Sequence, residues 1–303
     1  MNIQFMNTYF KKVKHILPTF LMVALGTVGG LLLFRWFFCL KYPVIAIKEE
    51  YWTRIAIFFP VVPVLIWLRP KFRVLIFPHS ANGIFGAVIL SWIVLAVMVY
   101  TTQDYLTTAA GTLQRLSDIK EIDKVRYARF YTIERFSVVP AYGGSYLDFV
   151  SGRRGKIKIE AYFVVPVLPH GAGGIDIIQK YWLGLKFQSK TYKRFRGEEI
   201  EKESKKFYQE CVRKMNVYDF YTQEYFERKP YSIERENFLK AVQARTREKT
   251  DESFIILEPV KTRYENRNGK RLLWALESVG IGISVFLLFL TIPGFDISST
   301  DKS

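Results

Sequence analysis

The feature that most limits how this chain can fold is a set of four apolar runs that enclose a polar middle section. The runs are Leu17–Leu40, Ile55–Leu68, Ile84–Tyr100 and Leu272–Ile292. Three of them reach the roughly 17–25 residues with which an α-helix crosses a bilayer. Half of all residues are hydrophobic although 24% are charged, and the two groups are separated along the chain. The pattern predicts a membrane protein with about four transmembrane α-helices, three N-terminal and one C-terminal.

Two of the runs require a choice between alternatives. The first follows the basic segment Lys11–Lys14 and could resemble a signal peptide, but it is too long and ends in "FRWFFCLKY" instead of small residues. We therefore interpret it as an uncleaved span. The run Ile55–Leu68 is short and contains Pro60 and Pro63. A thin, kinked span and a re-entrant hairpin both fit it.

Two charged residues lie near the ends of these runs. Arg35 is close enough to the end of the first run to extend its guanidinium to the interface, so we predict an interfacial anchor. Glu277 falls in the first turns of the last run, where the helix dipole stabilises the negative charge of a carboxylate. A functional role inside the membrane is the alternative for both residues.

Small residues recur at a spacing of four within the runs. Gly26 and Gly30 form a GxxxG motif, and Ser278 and Gly282 repeat its spacing. Such positions let helix backbones approach closely in lipid, so both pairs predict helix–helix contacts without identifying a partner.

The polar section, residues 101–270, changes to the patterns of a water-soluble domain. Tyr146–Ser151, a turn over Gly152–Gly155 and Lys156–Val165 predict a hairpin whose outgoing strand alternates apolar and charged residues. Further strands are expected in "VRYARFYTIERF", "QKYWLGLKFQSKTYKRF" and "SFIILEPV", and helices over residues 198–215 and 233–245. Together these elements predict an α+β domain on a half-solvated antiparallel sheet.

The net charge of +16 has an uneven distribution. The polar section carries 32 Lys and Arg against 23 Asp and Glu, about +9, dispersed among its carboxylates. Much of the rest lies in two clusters beside the apolar runs, Lys11–Lys14 and Arg69–Arg73. Basic residues at such positions determine the orientation of a membrane protein and attract anionic lipid headgroups. Nucleic-acid binding would require a basic face with stacking aromatics or a known module, and neither stands out. The predicted partner is the lipid bilayer and not nucleic acid.

The same clusters predict an orientation. With the N-terminus in the cytoplasm and four spans, the soluble domain is extracytoplasmic in a multi-pass protein of the plasma or inner membrane. The basic residues of the segment 261–271 argue for the opposite side. If Ile55–Leu68 does not cross the membrane, the same reasoning places the soluble domain in the cytoplasm.

No catalytic constellation is found in the sequence. His15, His79 and His170 have no second histidine or cysteine at metal-ligand spacing, and the neighbours His79 and Ser80 lack a third group to orient a base. The loop "HGAGGID" does not match a phosphate-binding motif. We predict no catalytic, cofactor-binding or metal residue and no cofactor.

Two further groups of side chains were considered for chemistry. Asp148, Glu160 and Asp176 would have to converge in space, and carboxylates at strand edges are usually solvated. Cys39 and Cys211 are expected to remain unpaired, because one lies at the bilayer and the other in a helix of the polar section.

The order of several segments resembles a known family. The segments are "RYARFYTIERF", "YGGSYLDFVSGRRGKIKIEAYFVVPVLP", "YFERKP", "FIILEPV", "NRNGKRLLWALESVGIGI" and "IPGFD". They are similar to the amino-terminal half of long bacterial rhomboid intramembrane serine proteases, over about Leu17 to Asp296. The resemblance implies a membrane-tethered module that precedes a six-helix protease core.

The active-site motif of that family is missing from this chain. The family carries a GxSG serine and a histidine on a neighbouring span, whereas this sequence has no GxSG. Ser91, Ser278 and Ser284 are therefore expected to lack a base. The core would begin after Ser303, so the resemblance implies an accessory part of a protease or a relative without the catalytic core.

These observations predict five segments: a basic N-terminal segment (1–16), a membrane domain with about three helices (17–100), a soluble α+β domain (101–270), a C-terminal transmembrane helix (271–293) and a polar tail (294–303). The first functional hypothesis is a non-catalytic interaction or regulatory module tethered to the membrane, with another membrane protein or a protease core as partner. The alternatives are the accessory half of a rhomboid-type serine endopeptidase and a small transporter or channel subunit.

Overall fold

The computed structural model describes residues 3–42, 44–77, 82–125, 127–171, 179–189, 199–250 and 253–295. The chain divides into a helical unit, residues 1–110 with 267–303, and a sheet unit, residues 111–266. The helix of the third apolar run continues to Ala109, because Thr102, Gln103 and Leu106 keep the helical spacing of its buried face. The first boundary therefore lies after the expected Tyr100.

The α-helices are, in chain order, α1 (Ile3–Phe34), α2 (Glu49–Phe58), α3 (Val61–Pro63), α4 (Arg69–Lys71), α5 (Gly83–Ala109), α6 (Glu199–Asn216), α7 (Ile233–Thr246) and α8 (Arg271–Phe289). The strands are β1 (Leu75–Ile76), β2 (Leu113–Asp118), β3 (Phe130–Arg135), β4 (Ser137–Val138), β5 (Gly144–Ser151), β6 (Ile157–Leu168), β7 (Tyr181–Gln188), β8 (Tyr225–Arg228), β9 (Ile255–Val260) and β10 (Gly294–Phe295). Two π-helical segments, Arg35–Lys41 and Val64–Leu68, continue α1 and α3.

Four helices among the described residues are long and apolar enough to cross a membrane. They are Met6–Lys41 with 36 residues, Glu49–Val74 with 26, Gly83–Ala109 with 27 and Tyr264–Phe289 with 26. At 1.5 Å per residue the shortest extends over about 39 Å, compared with a hydrocarbon core of ~30 Å. The first helix begins well before Leu17, so the basic N-terminal residues from Ile3 onward are helical and not a separate segment.

The second apolar run is part of a continuous helical segment and does not turn back as a hairpin. Pro60 precedes the short helix α3, and the backbone changes to π-helical hydrogen bonding after Pro63. Proline removes a backbone donor, and π turns are one way in which a helix absorbs such a defect.

The helical unit has two distinct ends, which we name here. At the ribbon end, β1 pairs with β10, with Leu75 opposite Phe295, and the Lys12 ammonium donates to the Pro293 carbonyl at 2.7 Å. At the junction end, where the chain passes to and from the sheet unit, Arg271 pairs with Asp104 at 3.0 Å. Each of the four helices runs between these two ends.

The core of the helical unit is formed by close contacts between helices. Phe20 of α1 stacks on Phe286 of α8, with ring centroids 3.8 Å apart. A Cβ at Gly282 would collide with Met98 Cε and lie 2.8 Å from Val94 Cγ1 of α5. The contact predicted for this small-residue pair is therefore present.

The two predicted small-residue pairs differ from each other. Ser278 hydrogen-bonds Thr101 at 2.8 Å, so it lies with Gly282 at the α5–α8 contact. A Cβ added at Gly26 or Gly30 would have no described atom of another element within 4 Å, so this pair makes no close helix contact within the described part of the unit.

The sheet unit contains a mixed eight-stranded sheet in the order β2-β3-β8-β9-β7-β6-β4, with β5 also paired to β6. The predicted hairpin is confirmed as β5 and β6, antiparallel with Leu147 opposite Ala161. Strands were also correctly predicted at β3, β7 and β9, and helices at α6 and α7. The sheet is not purely antiparallel, because β2–β3 and β7–β9 are parallel pairs.

The expectation of a half-solvated sheet is wrong for β6. Its odd-numbered residues Ala161 and Phe163 pack under α6 with Cys211. Its even-numbered residues Tyr162 and Val164 pack under α7. Helices therefore cover both faces of this strand, and the charged Glu160 is buried with its apolar neighbours.

Candidate functional site

A buried cation connects three helices at the junction end of the helical unit. Arg35 begins the π-helical continuation of α1, and only 1% of its surface is exposed. Its guanidinium donates to the Gln103 carbonyl at 3.0 Å, to Gln103 Oε1 at 3.1 Å and to Thr107 Oγ1 at 3.3 Å. It also forms an ion pair with Glu49 in the first turn of α2 and lies 4.8 Å from the Trp52 ring centre.

The predicted interfacial anchor at Arg35 is therefore wrong. A guanidinium with several acceptors in a fixed geometry is satisfied inside protein, so it has no need to reach water. The sequence did carry a signal, because Glu49 is the first carboxylate of the chain and starts the next helix. A guanidinium does not deprotonate in proteins, so this cluster fixes helices and does not transfer protons.

Glu277, the other charged residue of the apolar runs, is exposed on α8. The ring of Trp274, one turn earlier, is also exposed. Neither residue adds to the Arg35 cluster.

A second ionic network lies in the sheet unit beneath the start of α7. The Lys186 ammonium is 2.9 Å from Glu160 and 3.4 Å from Glu234. The Lys229 ammonium is 2.6 Å from both Glu234 and Glu258. The network thus ties β6, β7 and β9 to the first turn of α7, where a negative charge also complements the helix dipole.

Neighbouring charges shift the pKa values of Lys229 and Glu234 toward their ionised forms, whereas burial raises the pKa of Glu258. Burial opposes the shift, but the carboxylates of Glu258 and Glu234 raise the pKa of Lys229 above its ordinary value. Burial also opposes ionisation of Glu234, yet Lys229 and Lys186 hold its pKa below the ordinary value. Burial, together with the hydrogen bond to Glu160, raises the pKa of Tyr162 to about 12.

Two of the three carboxylates considered from the sequence are neighbours on the sheet. Asp148 of β5 is paired in register with Glu160 of β6. Asp148 accepts a hydrogen bond from Asn237 at 2.9 Å, and Glu160 accepts one from Tyr162 at 2.7 Å. Asp176 lies outside the described residues. Since both described carboxylates are engaged by donors, this pair holds α7 and does not form an acid–base couple.

The histidines considered from the sequence do not assemble a site. His15 lies in α1 with its ring 6.5 Å from that of Phe295, so it is within the first apolar helix and not before it. His170 is exposed, and its backbone N–H donates to Asp118 at 3.2 Å. His79 and Ser80 lie outside the described residues. Among the described side chains, no group of three His, Cys, Asp or Glu could hold a metal ion.

Two serines considered for chemistry donate to backbone carbonyls of their own helices, and neither cysteine is paired. Ser91 donates to the Ala87 carbonyl at 2.8 Å, and Ser284 to that of Gly280 at 2.9 Å. Cys39 and Cys211 are both free cysteines. Burial raises the pKa of the Cys211 thiol to about 11, which makes it a poor nucleophile near neutral pH.

Comparison with known proteins gives no further assignment. No family model, no curated protein and no solved structure matched the chain. The geometry alone therefore carries the functional argument, and it describes ionic networks that position helices.

Proposed function

We propose that this chain is a multi-pass membrane protein whose four apolar helices tether the α+β unit as a non-catalytic interaction or regulatory module. The observation that carries the proposal is the exposed surface of the helical unit. Large apolar side chains point outward on its helices, among them Leu25, which is 77% exposed, Met22, Val62 and Leu288. In water such a surface would aggregate, whereas in a bilayer it is solvated by lipid.

The polar networks described above support the second part of the proposal, because their hydrogen bonds and ion pairs join structural elements. The resemblance to the amino-terminal module of rhomboid proteases fits the same role, because there a tethered domain accompanies a separate catalytic core. The partner we propose is accordingly another membrane protein or a protease core.

The proposed orientation places the ribbon end in the cytoplasm and the α+β unit outside. Lys11–Lys14 and Arg69–Arg73 belong to the ribbon end, whereas Glu49, Glu50 and Asp104 belong to the junction end. The positive-inside rule counts Lys and Arg, so the two N-terminal clusters support this orientation, whereas Arg267, Lys270 and Arg271 at the junction end oppose it. Both connections to the α+β unit, at Ala110 and Arg267, leave from the junction end.

Cysteine labelling in intact cells tests insertion and orientation together. Cys211 is fully buried and unsuitable as a reporter, so Cys39 and Cys211 are first replaced by serine. A new cysteine at Val217, which is 83% exposed in the α+β unit, should react with a membrane-impermeant maleimide from outside. A cysteine at Arg73 of the ribbon end should react only after permeabilisation. The opposite labelling pattern would reverse the orientation, and loss of the protein into an alkaline carbonate wash would contradict insertion.

A protease assay tests the non-catalytic part of the proposal. The purified chain in detergent is incubated with a fluorescent transmembrane substrate. We expect no cleavage above that of a buffer control. Cleavage that is abolished by Ser91→Ala, Ser278→Ala or Ser284→Ala would overturn the proposal.

A further inference from the structure

The ribbon end of the helical unit carries positive charge without a described counter-charge. It holds Lys12, His15 and Lys71 together with four more basic residues, Lys11, Lys14, Arg69 and Arg73. The acidic residues of the unit's described sequence are Glu49, Glu50, Asp104 and Glu277, and these belong to the junction end or to the first turns of α8, which starts there. The described acidic residues of the unit therefore belong to the junction end, whereas basic residues lie at both ends.

Lys12 is the least solvated of these cations. Only 2% of its surface is exposed, and among the described residues its ammonium donates to one neutral acceptor, the Pro293 carbonyl. An ammonium has three donors, so two remain for another ligand. Removing an ammonium from water is costly unless an anion accompanies it. Lys12 is thus a buried cation with two N–H donors that no described acceptor engages.

The surroundings of Lys12 add a second lysine, an imidazole and apolar side chains. His15 lies one turn further along α1, and Lys71 of α4 is within electrostatic range of it. Two exposed apolar side chains are close in the sequence: Phe10 precedes Lys12 on α1, and Ile292, 74% exposed, precedes Pro293 after α8. A cationic patch bordered by apolar surface fits a ligand that joins an anionic phosphate to hydrocarbon chains.

We propose that the ribbon end binds the phosphate of an anionic phospholipid through Lys12, Lys71 and His15. Basic pockets between transmembrane helices bind such headgroups on the cytoplasmic side, where anionic lipids are concentrated. A free phosphate ion carries negative charge but has no hydrocarbon chain to contact the apolar side chains. The proposed ligand is therefore a lipid. The inference rests on insertion of the helical unit and goes beyond the tethering role.

The test measures lipid binding by the full chain purified in detergent. Native mass spectrometry compares adducts of phosphatidylglycerol and phosphatidylcholine at equal concentration. We expect phosphatidylglycerol to be preferred, and the preference to fall about fivefold in Lys71→Gln, as for the loss of one basic residue near an anionic headgroup. Lys12→Gln should lower it at least as much. Lys270→Gln, an exposed lysine at the junction end, is the matched control and should leave it unchanged.

Several outcomes would overturn the proposal. They are equal binding of both lipids, an equal loss in Lys270→Gln, and equal thermal stabilisation by inorganic phosphate without lipid. Lys71→Gln keeps the test decisive if the buried Lys12→Gln variant does not fold. Asp296 follows Phe295 in the sequence, so Asp296→Asn is included. Asp296→Asn could destabilise the chain as much as Lys12→Gln does while no variant changes the lipid preference. That result would mean that Asp296 supplies the counter-charge of Lys12, and it would contradict the lipid site.

Carbonate extraction of each variant separates this test from that of the tethering role. A chain that stays in the membrane without lipid preference contradicts only the phosphate site. A chain that is extracted contradicts insertion itself.

Discussion

Replacing Arg35 by methionine should destabilise the helical unit more than any exposed arginine would. The substitution keeps a long, flexible side chain but removes the guanidinium that bonds Gln103, Thr107 and Glu49. The Glu49 carboxylate, whose side chain is 20% exposed, would lose its ion-pair partner. Breaking one side of a buried ion pair costs about 3–5 kcal/mol, and the partial exposure of Glu49 places the expected loss near 3 kcal/mol.

This loss can be measured as a change in thermal stability. At 2–4 °C per kcal/mol for a unit of this size, Tm should fall by about 6–12 °C. The assay is thermal unfolding in detergent at pH 7, followed by near-ultraviolet circular dichroism. Arg54→Met is the matched control, because Arg54 is an exposed residue of α2, and its change should stay within about 0.5 kcal/mol.

A double-mutant cycle sharpens the test. Glu49→Gln in the Arg35→Met background removes the carboxylate that loses Arg35 as its partner, so it should restore part of the lost Tm. Arg35→Lys should give an intermediate Tm, because an ammonium keeps the positive charge but lacks the planar guanidinium that donates to several acceptors at once. A Tm for Arg35→Met that matches Arg54→Met would refute the role given to this cluster.

Three further predictions concern other parts of the molecule. Gly282→Leu should destabilise the helix bundle by a few kcal/mol because its side chain collides with α5, whereas Gly26→Leu should be nearly neutral, and thermal unfolding compares them. Acid should destabilise the sheet unit partly through Glu234: its pKa is lowered on folding, so its contribution is present above its unfolded pKa of ~4.3 and is lost as pH falls through the folded value. Urea unfolding between pH 7 and pH 3 should show a smaller drop for Glu234→Gln. Finally, Cys211 should resist iodoacetamide at pH 7.5 while a cysteine at Val217 reacts, and equal rates measured by mass spectrometry would contradict the burial of α6.

Much of the fold could be predicted because its signals are local. Apolar runs of sufficient length indicate spans, and the alternation in Ile157–Val165 together with "SGRRG" indicates a hairpin. The signals for two helices are local as well. Apolar side chains recur on one face of α6, and the Ser232 hydroxyl at the start of α7 accepts from the Arg235 N–H at 3.0 Å. These features depend on neighbours within a few positions of the sequence.

The errors concern contacts between distant residues. Lys158 and Glu160 made one face of β6 look solvated, but α7, more than seventy positions later, covers it and supplies Glu234 to the ionic network. Arg35 looked like an anchor because its acceptors lie on two other helices. Strands β2 and β8 were missed, since β8 has only four residues and β2 mixes Arg, Ser and Asp with two leucines.

The central claim is that lipid surrounds the helical unit while water surrounds the α+β unit. Spin labels on single cysteines at Leu25, Leu288 and Val217, in a background without Cys39 and Cys211, test it in reconstituted bilayers. The collision rates to be compared are those with oxygen, which dissolves in hydrocarbon, and with a polar nickel chelate, which does not. Labels at 25 and 288 should collide mainly with oxygen, and the label at 217 should collide mainly with nickel. Nickel-dominated collisions at all three positions would contradict the central claim.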